Sequence, residues 1–190
     1  MRSAVVATLC ALFFNDGLAQ VNQTPSLQPT PLEAFAAQPT AQVTWSKEAG
    51  RIESIEARVV VTALIVEDAV QPPHRMRGVR IDLTNQNATD QVYLDEAKLE
   101  AVKEALEEIE SGIKSFLNER ESTPYRYLGS AEFRQIEPRV HTLSAAYYIA
   151  PDSTGLSLSA FKGQQFRFPK HRPSELAEAV GRAMEELKQH

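Results

Sequence analysis

GVRIDLTNQNATDQVYLDEAKLEAVKEALEEIESGIKSFL, Gly78 to Leu117, decides the fold: two short strands, a turn between them, then one long helix. Val79, Ile81 and Leu83 alternate with Arg80, Asp82 and Thr84, the period of a half-buried strand. Asn85 to Asp90 reads as the turn, and Val92 and Leu94 return on the same face. There the period changes. Leu99, Val102, Leu106, Ile109, Ile113 and Phe116 follow at spacings of three and four, an apolar seam on one side of an α-helix. Asp95 stands where an N-cap is expected, its carboxylate placed to accept from first-turn N–H groups. About 22 helical residues span roughly 33 Å. The other side carries Glu96, Glu100, Glu104, Glu107, Glu108 and Glu110 against Lys98, Lys103 and Lys114. From Asp95 to Glu121 nine acids face four bases, a net of −5, which equals the formal charge of the whole 190-residue chain. The acidity is therefore local, and its plainest reading is a solvated helix face.

A looser copy of this arrangement follows. Gly155-Leu156-Ser157-Leu158 lies under Gly78-Val79-Arg80-Ile81, and Phe166 and Phe168 lie under Val92 and Leu94. Leu176, Val180, Ala183 and Leu187 give a second helical seam, with Pro173 suited to its first turn and Glu175 to its positive end. Ala131 to Ile136 and Val140 to Ala150 read as further strands. Upstream, Arg58 to Val66 is β-branched and apolar on both faces, which predicts a central strand covered on both sides or lying at a subunit contact. Pro72-Pro73 end it. The expectation is an α+β fold: one domain over 45–190, made of two similar units (about 45–120 and 125–190). In each, antiparallel strands precede one long helix, and the helices pack on a curved antiparallel sheet.

Residues 1–19 have the parts of a secretory signal: Arg2, an apolar run from Ala4 to Phe14, and small residues before a cut after Ala19. Such a leader implies an exported protein, periplasmic or extracellular. Cys10 is the only cysteine, so the mature chain would hold no disulfide and no thiolate. Residues 20–44 read as a disordered linker, with Pro25, Pro29, Pro31 and Pro39 among Gln, Thr, Ser and Ala. Within it, Leu32 and Phe35 are either solvated linker or a short partner-binding element.

Strands followed by one helix, done twice, resembles the ββββα arrangement of Pur-alpha repeats and Whirly-type single-strand DNA binders. The resemblance covers roughly residues 50–190 and rests on order, with Gly78-Val79-Arg80-Ile81-Asp82-Leu83 leading into a hairpin and a long helix. It implies a fold, and a fold does not imply a function. A nucleic-acid role fits poorly with an acidic, exported chain, because phosphates call for a basic groove.

Two basic spots remain. His74, Arg75, Arg77 and Arg80 cluster at the start of the first hairpin, and Arg167, Lys170, His171 and Arg172 precede the second helix. The second spot abuts a helix N-terminus, which favours anions. The alternative is ordinary loop and edge-strand charge. No Gly-x-Ser-x-Gly motif and no phosphate-cradling glycine loop occurs. His74, His141, His171 and His190 lack metal-ligand spacing, so no metal and no cofactor is expected. A site built from residues distant in sequence would leave no local signature. Asn22-Gln23-Thr24 and Asn87-Ala88-Thr89 match the glycosylation pattern. The chain reads as a non-enzymatic exported domain acting through an unidentified protein partner or a homodimer contact. The alternative is a single-strand nucleic-acid or polyanion module.

Overall fold

The computed structural model describes residues 29–68, 74–121, 131–134, 143–149, 153–160 and 164–190. The expected signal segment lies outside them, as does the stretch from 135 to 142, His141 included. The fold is α+β. A short helix α1 (Pro31–Ala36) precedes β1 (Ala41–Glu53), β2 (Ala57–Asp68), β3 (His74–Asn85) and β4 (Thr89–Asp95); a 3₁₀ turn (Glu96–Lys98) then leads into α2 (Leu99–Glu121). After it come β5 (Ala131–Arg134), β6 (Ser144–Ile149), β7 (Thr154–Ser159), β8 (Gln165–Pro169) and α3 (Pro173–Lys188). The strands form two antiparallel sheets, each in chain order: β1-β2-β3-β4 in the first and β5-β6-β7-β8 in the second.

The two-sided apolar run lies where its composition places it, with β2 paired between β1 and β3. Val59, Val61, Ala63 and Ile65 enter the main core. On the opposite face Leu64 and Val66 are buried under α1. The cover on that face is therefore supplied within the chain. β1 carries two irregularities in its register with β2, between Val43 and Trp45 and between Glu48 and Gly50. Bulges and charges of this kind (Lys47, Glu48, Arg51) blunt an edge strand against further pairing.

Both helix seams are buried as their spacing predicts. Leu99, Val102 and Leu106 join Leu176, Val180, Ala183 and Leu187 in the main core, while Ile109 and Ile113 meet Tyr147 of β6. The side chain of Phe116 lies outside the described residues. Which sheet each helix covers is not legible in a seam. α3, at the end of the chain, packs on β1, β2 and β3 of the first sheet, while α2 packs on α3 and on β5 and β6 of the second. Each helix thus meets the sheet of the other half. Gly50 permits the close approach of α3: a Cβ there would lie 2.6 Å from the Ala179 Cβ. Arg182 Nε donates to the Ala49 carbonyl at 2.8 Å, satisfying an edge-strand acceptor. Glu110, 7% exposed, accepts from Arg172 Nε at 3.2 Å and lies 2.9 Å from its terminal nitrogen, which ties α2 to the start of α3.

The expected linker over 20–44 is corrected where it can be seen. Thr30 to Ala36 is ordered, and β1 begins at Ala41 rather than near Trp45. Thr30 caps α1, its hydroxyl accepting from Glu33 N at 3.1 Å, and Pro31 sits in the first turn. Asp95 also departs from expectation. It makes no side-chain cap on the helix that follows it. Its Oδ1 instead accepts from Leu32 N at 2.8 Å, capping α1 from the end of β4. Two apolar residues in a Pro- and Gln-rich stretch carry no periodic signal, so the order of α1 comes from its tertiary seat. Burying a Leu and a Phe contributes about 1.5–3 kcal/mol each, and two caps add about 1 kcal/mol apiece. Ordering a six-residue helix costs roughly 1–2 kcal/mol per residue. The opposing sums are of like size, so α1 is held by its contacts with the sheet rather than by its own helix propensity.

Candidate functional site

The first basic spot expected from the sequence is divided between the two faces of β3. In β3, alternation sends Arg75 and Arg77 to one face and Arg80 to the other. Arg75 stands opposite Glu67 and pairs with it at 3.5 Å. Arg77 pairs with Glu96 at 3.3 Å. Arg80 Nε donates to Asp82 Oδ2 at 3.0 Å, and Asp82 Oδ1 accepts from Gln91 Nε2 at 2.8 Å. His74 meets the Phe35 ring edge-on, with centroids 4.9 Å apart.

Before α3, His171 and Arg172 are likewise paired within the chain. His171 lies between two acceptors, Nδ1 at 2.8 Å from Glu175 Oε2 and Nε2 at 2.9 Å from the Glu53 carbonyl. It joins the β1–β2 turn to the helix start, which Ser54 Oγ reinforces by donating to the Arg167 carbonyl at 3.2 Å. Glu175 Oε1 accepts from Arg172 N at 2.9 Å, so the positive end of α3 is already occupied. The Arg172 guanidinium faces Glu110. Lys170 has a left-handed backbone (φ 69) and donates its N–H to the Thr154 carbonyl at 2.7 Å. Arg167 is exposed, its guanidinium 5.7 Å from the centre of the Tyr148 ring. Most of these charges are joined to an acid or an aromatic ring within the chain. Two Ser-x-x-Lys spacings also occur. Ser111 and Lys114 are exposed on α2, where Lys114 lies 3.9 Å from Glu110, and Lys162 lies outside the described residues.

The feature with the most specific chemistry is the seat of α1 on the outer face of the first sheet. Leu32 and Phe35 are 0% and 4% exposed, packed with Leu64 and Val66 and flanked by Met76 and Tyr93. Gly78 makes room for the helix: a Cβ there would strike the Leu94 carbonyl and lie 2.6 Å from Leu32 Cδ2. Apolar contacts set which side chains enter. Asp95 and Thr30, by taking first-turn N–H groups, set where the helix begins. Of the seat, the sequence marks Leu32 and Phe35 as linker or partner-binding element, Gly78 as the start of a strand and Asp95 as the cap of α2; the folded chain brings the four together around α1.

Among exposed charges, Arg51 donates from Nε and Nη2 to Glu48 at 3.1 and 2.9 Å, which lowers the Glu48 carboxyl below its ordinary value. Glu107 raises Lys103 in the same way. No family model, curated protein or solved structure matches this chain.

Proposed function

We propose that this chain is an exported, non-catalytic binding domain that acts through contact with a protein segment or a second copy of itself. The observation that carries the reading is the α1 seat, a surface that takes a short helix by two apolar side chains and caps its backbone. Recognition of a helix in an apolar groove is a recurring mode of peptide binding. The apolar run at Ala4–Phe14 and the small residues before Gln20 support export. We also read the two sheets with their helices as a duplicated ββββα unit. Support comes from the shared strand order and from Gly78 and Gly155, each in the third strand of its sheet against a fourth-strand carbonyl.

One observation favours a single-strand nucleic-acid or polyanion module: exposed Arg167 over Tyr148 pairs a cation with a stacking ring. The neutralised cations elsewhere weigh against it. The intact mass of the protein from host fractions tests the reading. Chain starting at Gln20 in an exported fraction is the expected result. Full-length protein confined to the cytoplasm would overturn it and make salt-sensitive oligonucleotide binding the next assay, with Arg167→Ala as its control.

A further inference from the structure

The geometry points to an exchange site: the seat on the outer face of the first sheet accepts α1 from a second copy of this chain, so α1 is a strap that can pass between protomers. The inference rests on the binding reading above and names its surface and its occupant.

Three observations carry it. The cluster that holds α1 (Leu32, Phe35, Leu64, Val66) is separate from the main core, so vacating it leaves the core residues in place. The latch to the sheet is made to backbone, Asp95 Oδ1 accepting from Leu32 N, while the Thr30 cap on Glu33 N lies within α1 and travels with it. Nothing in these contacts depends on which chain supplies the helix. Finally, α1 is joined to β1 only through Ala37–Thr40, a reversal held by Ala37 N to Glu33 O at 3.0 Å and Ala41 N to Gln38 O at 3.1 Å. Opening that reversal moves α1 away as a unit while β1 keeps its pairing with β2. Exchange of an identical element between protomers is a low-cost route to dimers, and short hinge loops invite it.

The test shortens the hinge in the full chain. Deleting Gln38 and Pro39 removes the residues that let α1 turn back onto its own sheet. Light scattering should then report a dimer, and adding Leu32→Ala and Phe35→Ala should return it to a monomer. A deletion variant that stays folded and monomeric overturns the inference. A second measurement uses a labelled peptide of residues 28–38 and the full chain carrying Leu32→Ala and Phe35→Ala, whose seat is weakly filled. Binding at least tenfold tighter than to the unaltered chain is expected. No binding to the folded double variant overturns the exchange. Both assays use purified chain, whereas the reading of an exported binding domain is tested by mass in host fractions, so the two can fail separately.

Discussion

The hairpins of the two sheets are built alike and finished differently. In the first, Gly78 stands between Leu64 on β2 and Asp95 on β4; in the second, Gly155 stands between Tyr148 on β6 and Pro169 on β8. The inward positions match, with Val79 opposite Leu94 and Ile81 opposite Val92, as Leu156 is opposite Phe168 and Leu158 opposite Phe166. All eight are buried. The outward positions decide the rest. Leu64 offers an apolar floor and Asp95 an acceptor for a helix start, and α1 sits there. Tyr148 and Pro169 offer neither pairing, and Tyr148 meets Arg167 instead. A shared inward pattern secures the fold, while a few outward side chains determine what each sheet can hold.

The largest effect belongs to what the halves share. Leu106 is buried among residues of both, so Leu106→Asp places an unpaired charge in the common core. Loss of the far-ultraviolet circular dichroism of the folded chain is expected, and a cooperative melt near that of the parent would contradict the shared core. Next come the glycines. Gly78→Val and Gly155→Val each force a side chain onto a fourth-strand carbonyl and should cost about 1–3 kcal/mol in denaturant melts. Only the first also displaces Leu32, so protease cleavage between residues 30 and 40 should rise for Gly78→Val alone. Equal cleavage in both would erase the difference between the sheets.

Smaller changes sharpen the comparison. Asp95→Ala removes the acceptor at Leu32 N and should cost about 1 kcal/mol or less, again with faster cleavage of α1. Arg167→Ala on the second sheet should shift stability by less than about 0.5 kcal/mol. The smallest effect is at β1. Glu48 is held ionised by Arg51, so the contribution of the pair is present above the carboxyl's unfolded value and is lost as pH falls through its lowered folded value. A carboxyl titration by NMR should place Glu48 lower in the parent than in Arg51→Gln; coincident curves would show the pair is not formed.

The sequence made the shared part legible and left the rest hidden, for physical reasons. A helix seam repeats every three or four residues and a half-buried strand every second, so Leu99–Ile113 and Val79–Leu83 announce themselves. β2 announces its central place because both its faces are apolar. The seam of α3 cannot say that its sheet lies in the other half, since that depends on Gly50 and Ala179 meeting from distant positions. Some partners of the basic residues were within reach: Arg80 and Asp82 share a strand face, and His171 just before α3 is four residues from Glu175 in its first turn. Others, such as Arg172 with Glu110, join residues that only the folded chain brings together. The strap was the hardest to see, because Leu32 and Phe35 have no local period and gain order only against Leu64, Val66 and Asp95.

Amide hydrogen exchange, resolved by residue, tests the central claim that this strap is a marginal and releasable element on a firm sheet. The amides of Leu32, Glu33, Ala34 and Ala37 should exchange through a local opening, with rates insensitive to low denaturant. Those of Val59 to Ile65 on β2 should exchange only with global unfolding. If the α1 amides are protected as strongly as β2 and share its denaturant dependence, α1 is a fixed part of the core and the account is wrong.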